Sequence, residues 1–390
     1  MKVSSQAARG FEASLIHRLR VQKDVSRAEL ARSLDAAPST IGQYVDRLIT
    51  GGYLKEGRKA VLPSGRWPTV LELNPGVGRF VGIDFEARQM VATAVDFAQQ
   101  PVEHCQKTIL ASDTVDQVIE KIVEAVREVS VQGVPLLGVG IGVPGVVDAA
   151  RGIAVHYSFL RGWTDVPLVS RLQERLTVPV FLENNIRAMA LAEQLFGQGR
   201  GTDNFLCIGI RSGIGAGVVV NGQLHRGPGN VAGEIGAWPL EHGKTLEGVA
   251  SLSALSEQLV DAIRGGEPSS LTIRRNRISV DDLIAAARDG DGLVVDAIWQ
   301  AGQVIGKAIA QMCLLLNPGK VILAGPLGQF ELAFVQSVRE AVQHYSRPPQ
   351  AVSPLIAGSE LGAFGGALGG AALVAQNWEP PGSGSPARMN

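Results

Sequence analysis

The stretch "LENNIRA", Leu182 to Ala188, ends the apolar strand "VPVF" and opens the helix "IRAMALAEQLFG". Polar groups gathered where a strand runs into a helix start are well placed to hold a polyol, because the free N–H groups of the first turn point at the ligand. Asn184 and Asn185 at the tip can donate and accept hydrogen bonds, yet neither takes a proton at neutral pH. The chemistry on offer is recognition without a general base. A second pattern, Gly140, Gly142 and Gly145 after the strand "LLGVGIGV", spells G-x-G-x-x-G. Dinucleotide binding needs a helix directly behind those glycines, and "VVDAARGIAV" is β-branched residues and a turn. The glycines are expected instead to let a loop come close to a cleft.

A third set of polar residues suits nucleic acid. Ser39, Thr40, Gln43, Tyr44 and Arg47 fall on one face of the helix "PSTIGQYVDRLITGG". Hydroxyls and an amide near such a helix's N-terminus fit base edges in the major groove, and Arg47 fits a phosphate or a guanine. Ile41, Val45, Leu48 and Ile49 take the buried face, Pro38 the first turn, and Gly51-Gly52 the stop. Two short helices precede it, one with Phe11, Leu15, Ile16 and Leu19 at helical spacing. The other, "SRAEL", starts on a capping box of Ser26 and Glu29. A four-residue join makes the last two a helix-turn-helix. "YLKEGRKAVLPSGRWPTVLELN" then reads as two strands around a basic loop, a wing. Arg27 on the second helix and Arg58, Lys59 and Arg66 in the wing are the expected further DNA contacts. One such unit reads a half-site, so a dimer or tetramer on a palindromic operator is implied.

Bulk properties agree. The 390 residues carry a net charge of −1, but the first 70 hold twelve Lys and Arg against six Asp and Glu. A basic head on an acidic body points to a polyanion met by the head alone. Cys105, Cys207 and Cys313 lie far apart with no His at ligand spacing, which fits a reducing compartment and no cysteine zinc site. The start lacks the apolar core of a signal peptide, and no run is long enough to span a membrane. A cytoplasmic protein with no membrane partner is expected.

From residue 79 the pattern changes. "RFVGIDFE", "QMVATAVD" and "VEHCQKTIL" read as strands, "TVDQVIEKIVEAVREV" as an amphipathic helix, and "LLGVGIGV" as another strand. A similar beginning recurs in "NFLCIGIR", "GAGVVV" and "QLHRG", the last two joined by Asn221-Gly222, a hairpin turn. The repetition predicts an α/β body of two related lobes with a cleft between them. Expected bounds are 1–75 for the winged helix-turn-helix and 76–376 for the body. Lobe one takes about 76–198 plus 358–376 and lobe two about 199–357, with a disordered tail over 377–390.

"SRAELARSLDAAPSTIGQYVDRLITGGYLKEG", "SGRWP", "GVGIGVPGVVD", "GWTDVPL", "LTVPVFLENN", "LAEQLFGQGRG", "SGIGAGVVVNGQLHRGPGNVAGEIG" and "NPGKVILAG" occur in this order. Together they resemble the ROK family of repressors and sugar kinases, in its branch with an N-terminal winged helix. The resemblance implies the actin-like two-lobe ATPase fold, ribonuclease H-like and duplicated. It also implies that the sugar is held by an Asn and an Asp after the strand, by Glu and His of Gly-Glu-x-Gly-His, and by a Glu after a zinc loop. The matching positions are Asn184, Asn185, Glu234, Ala237 and Glu247, and Gly145, whose loop is expected to approach the cleft, is grouped with them.

Departures from the family pattern set the expectation of function. Asn185 replaces the Asp that would take the sugar's proton, and Arg187 replaces a second Asn. Asp84 is kept, but Glu86, Ala87 and Arg88 replace the glycine turn that would cradle phosphate, and side chains there block backbone approach. Arg211 and Ser212 alter the second phosphate turn, and Gly325-Pro326 stands for a later Gly-Gly. "EHGKTLEG" lacks the zinc cysteines. No cofactor, no metal and no catalytic residue are therefore expected. The reading is a DNA-binding regulator, a repressor of carbohydrate-related genes, whose sugar or sugar-derivative effector would lie against Gly145, Asn184, Asn185, Glu234 and Glu247. The alternatives are a sugar kinase with a DNA-binding head and a ligand-independent regulator or scaffold.

Overall fold

The computed structural model describes residues 5–22, 25–59, 69–86, 88–157, 159–274, 276–346 and 354–381. Three helices come first: α1 (Ser5–Val21), α2 (Arg27–Ser33) and α3 (Pro38–Thr50). The Ser26 hydroxyl accepts from the Glu29 N–H while the Glu29 carboxylate accepts from the Ser26 N–H, so the capping box does start α2. The strands β1 (Leu54–Lys59) and β2 (Thr69–Leu73) pair antiparallel as a wing. The side chains of Arg58 and Lys59 and the whole of Arg66 lie outside the described residues.

The body begins with β3 (Arg79–Glu86), β4 (Gln89–Asp96), β5 (Pro101–Thr108), α4 (Val115–Val129) and β6 (Leu136–Val143). A small antiparallel sheet of β7 (Val146–Asp148), β8 (Ile153–His156) and β9 (Thr164–Val166) comes directly after β6. No helix stands behind the glycine pattern, so it lacks the dinucleotide-binding geometry. Then follow α5 (Leu168–Leu176), β10 (Val180–Asn184) and α6 (Asn185–Leu195).

A second set follows: β11 (Phe205–Ile210), β12 (Ile214–Val220), β13 (Gln223–His225), α7 (Leu246–Ala250), α8 (Leu252–Arg264), α9 (Val280–Arg288) and α10 (Gly292–Leu316). It is completed by β14 (Lys320–Ala324), α11 (Gln336–Tyr345) and β15 (Leu355–Gly358), and the last helix is α12 (Gly365–Asn377). The two main sheets run β10-β6-β3-β4-β5 and β13-β12-β11-β14-β15. Both order their own strands third, second, first, fourth, fifth. In both, the first three are antiparallel neighbours and the fourth and fifth lie parallel. The body is thus one α/β unit built twice, the actin-like arrangement.

Two helices are enclosed on all sides. Every residue of α6 is buried, and α12 is buried from Gly365 to Ala375. α12 reaches the sheet of lobe one closely because glycines face it: a Cβ on Gly82 would overlap the Ala367 carbonyl, and one on Gly140 the Gly370 carbonyl. Gly140 therefore serves helix packing rather than a loop's approach to a cleft. The described residues run on to 381, so they include the first five positions of the expected tail. Trp378 packs edge-on against Tyr53 and Phe97 at centroid distances of 5.5 and 4.9 Å. One apolar cluster joins Leu15, Leu19 and Leu48 of the head to Phe80 and Phe97, to Leu191 and Leu195 of α6, and to Leu373 of α12.

Helix α10 is held at its start by Asp291. That carboxylate accepts from the Val294 N–H, and from the Ser270 N–H and the hydroxyls of Ser269 and Ser270. Burial pushes its pKa up, but these bonds outweigh it and bring it from 3.8 to about 2. Asp291→Ala is expected to cost about 1–2 kcal/mol in denaturant unfolding. Because the folded carboxyl is depressed, its contribution is whole above pH 3.8 and fades as pH falls toward about 2. A variant whose deficit stayed constant through that window would refute the capping role.

Candidate functional site

The junction of β10 and α6 is built by Asn184. Its Oδ1 accepts from the N–H groups of Ile186 (2.9 Å) and Arg187 (3.1 Å), capping α6, while its Nδ2 donates to the Gly145 carbonyl at 3.0 Å. Gly145 has φ +79, and a Cβ there would overlap the His156 carbonyl, so only glycine fits the turn that faces the cap. Asn185 donates from Nδ2 to the Phe85 carbonyl at 3.1 Å. Its Oδ1 has no protein partner among the described residues and is free to accept from a ligand hydroxyl.

The other two candidate residues, Glu234 and Glu247, belong to lobe two. Glu247, at the start of α7, accepts from the Ile214 N–H at 2.9 Å and lies against Gly213 and Gly236. Glu234 is exposed as a residue, and the protein packed around its carboxyl raises the pKa. The Arg187 charge opposes that rise and Glu247 adds to it. The structure thus groups Asn184 with Gly145 on one side and Glu234 with Glu247 on the other. The shortened loop between them is ordered by its own turn. Pro239 bridges Thr245, the Leu240 N–H donates to the Lys244 carbonyl at 2.8 Å, and Thr245 caps α7.

At the two turns that depart from the family's glycine pattern, side chains of the two lobes meet. Arg211 reaches across to Asp84 with two parallel bonds, Nη1–Oδ1 3.0 Å and Nη2–Oδ2 2.5 Å, and its Nε pairs with Glu86 Oε2 at 2.6 Å. The second Glu86 oxygen accepts from the Ser212 N–H at 2.9 Å. Burial works against the Arg211 charge, but Asp84 and Glu86 overcome it and hold its pKa above the ordinary value. The two altered turns fill one another, a carboxylate in one and a guanidinium in the other. A further bridge joins Arg226 of lobe two to buried Glu183 of lobe one at 2.6 Å.

Sequence reading missed the partnerships of Glu183, Arg187, Arg211 and Arg226. A signal existed for the Glu183–Arg187 pair, four residues apart at a helix start. None existed for Arg226.

On the head, Ser39 and Gln43 are exposed on α3 and Thr40 is half-buried beside them. Tyr44 does not join them. It is buried against the Phe11 ring at 4.7 Å, because position 44 falls on the same helical stripe as Ile41 and Leu48. Arg47 lies over the Tyr44 ring and pairs with Glu12 at 3.0 Å, so its charge is part of the fold as well as of the outer face. Arg27 pairs with Asp46 at 2.7 Å and Glu56 at 3.1 Å, tying α2 to α3 and the wing.

The chain is 26% identical over 340 residues to the xylose repressor of Caldicellulosiruptor bescii, covering 83% of this chain and 85% of that one. Among solved structures, a ROK family transcriptional regulator described as a homologue of the Escherichia coli Mlc protein superposes with a TM-score of 0.77. It has 27% identity, with 94% of this chain and 96% of that one covered. A ROK family glucokinase from Streptomyces griseus, in complex with glucose and AMPPNP, gives a TM-score of 0.68. It has 25% identity, over 76% of this chain and 99% of that one. The kinase likeness leaves out about a quarter of this chain, whereas the regulator likeness runs nearly end to end. The family model for ROK matches residues 80–377, from the first strand of the body to the end of its last helix, and the chain belongs to that family.

Proposed function

We propose that this chain is a DNA-binding transcriptional repressor of carbohydrate-related genes whose body senses a sugar or sugar derivative and phosphorylates nothing. It would act in the cytoplasm as a homodimer or a tetramer on a palindromic operator, with the head taken as residues 1–75 and the sensor as 76–376. One juxtaposition carries the reading: a head with Ser39 and Gln43 outward, joined to a body whose phosphate turns are closed on each other by Arg211. A site tied off in this way, with an amide at Asn185, has no cradle for a nucleotide's phosphates and no carboxylate at the position of the family's base. What remains is recognition, and a ligand shifts DNA binding only as far as it favours one lobe arrangement over the other.

Gel-shift titration against a palindromic operator tests the head. Gln43→Ala should lose about 1–3 kcal/mol of discrimination between operator and random DNA. Equal binding of the parent chain to both at moderate salt would sink the assignment of α3. Measurable ATP consumption with any hexose would sink the assignment of the body.

A further inference from the structure

Arg187 stands in the first turn of α6 with 1% of its surface exposed. Its Nε lies 3.3 Å from Glu183 Oε1, an ion-pair distance, yet none of its three guanidinium nitrogens makes a hydrogen bond among the described residues. Glu183 is already engaged. Its Oε1 accepts from the Asn184 N–H at 2.9 Å and its Oε2 from Arg226 Nε at 2.6 Å. A fully buried guanidinium with no acceptor is unusual, since desolvated charged donors are costly to leave unmet. Its charge is close enough to lobe two to oppose the rise in the Glu234 carboxyl. Around it stand one carboxylate, Glu183, and a second cation, Arg226, while Asn184 and Asn185 carry no charge, so the junction holds one positive charge in excess. The N-terminal end of α6 adds its own partial positive charge.

We propose that the effector is an acidic monosaccharide, and that Arg187 in the first turn of α6 receives its carboxylate or phosphate group while Asn185 accepts from its hydroxyls. The proposal rests on the sensor reading and narrows it. A guanidinium presents a planar fork of donors that matches either anion, which a neutral sugar cannot complete. Glu234 of lobe two works against the same ligand and sets an upper limit on its affinity.

Calorimetric titration of the full chain with glucuronate, glucose 6-phosphate and glucose is the test. At least one of the two acids should bind about tenfold or more tightly than glucose, and the more tightly bound of them identifies the anion. Arg187→Asn should erase the preference and Arg187→Lys keep part of it. Glu234→Gln, at an exposed position that leaves the core untouched, should strengthen the acid several-fold, and decides the matter should Arg187→Asn fail to fold. Equal affinity for glucose and both acids, or a preference unmoved by the Arg187 and Glu234 variants, would overturn the proposal and leave the sensor reading standing. Binding of none of the three by the parent chain, with N-acetylglucosamine and xylose also silent, would take the sensor reading down with it.

Discussion

Arg211→Ala should destabilise the folded chain by about 3–5 kcal/mol and let the two lobes move apart. Asp84 is 1% exposed and its two oxygens are both engaged by Arg211. Removing the guanidinium leaves that carboxylate buried and uncompensated, which costs far more than the pair contributes when whole. Glu86, 26% exposed, loses less, since water can replace part of what Arg211 supplied. Two further measurements separate this account from simple loss of packing. Adding Asp84→Ala to the Arg211 variant should recover much of the deficit, because the stranded charge goes with it.

The deficit should also depend on pH. Burial raises the Asp84 carboxyl against the pull of Arg211, and without Arg211 that pull is gone. A raised folded pKa means that the folded state holds the proton more tightly than the unfolded state. The variant should therefore regain stability relative to the parent as pH falls through the raised value. Small-angle scattering should report a larger radius of gyration for Arg211→Ala than for the parent. An unfolding free energy within about 1 kcal/mol of the parent, with an unchanged radius, would show that the bridge between the lobes is decorative.

The same bridge shows where sequence reading stops. The capping box at Ser26 and Glu29, the four-residue join and the strand repeats are local patterns, and each fixes an element by the residues within one turn or one hairpin. Glu86 and Arg211 were each legible as a lost glycine turn. That the two departures answer one another, 125 positions apart, depends on how the lobes close, and no periodicity carries that information. Tyr44 failed for another reason. Its spacing from Ile41 and Leu48 places it on the inner stripe, but its hydroxyl groups it with the polar residues, and the ring decided. Trp378 falls at the start of the expected tail by its sequence, and its packing beside Phe97 and Tyr53 depends on contacts some 280 and 325 positions away that no local pattern carries.

Arg20→Ala is expected to cost about 2–4 kcal/mol and to separate the head from the body in both stability and response. Arg20, on α1, is 1% exposed, with its guanidinium 4.9 Å from the Phe80 ring centroid, 4.8 Å from that of Phe97 and 5.8 Å from that of Trp378. Its Nη1 donates to the Ala375 carbonyl near the end of α12. Burial lowers its pKa to about 9, still above neutral, so a cation sits inside a cage of three aromatic faces. The position matters because α12 packs along α6, and α6 begins at Asn184 and Asn185. A ligand that moves the start of α6 moves a helix rigidly packed against the one that holds Arg20, and through it the head. The parent chain should melt in one transition, since head and lobe one share an apolar cluster. Arg20→Ala should melt in two, the head first, and should bind operator with a weaker response to any effector that releases the parent. Arg20→Met fills the cage without the charge and should restore most of the stability. If Arg20→Met also restores the effector response, the coupling is packing alone; if it does not, the cation–aromatic contact holds the head at a fixed angle. A single transition and an undiminished response in Arg20→Ala would mean that the head takes its orders through some other contact than α1 on α12.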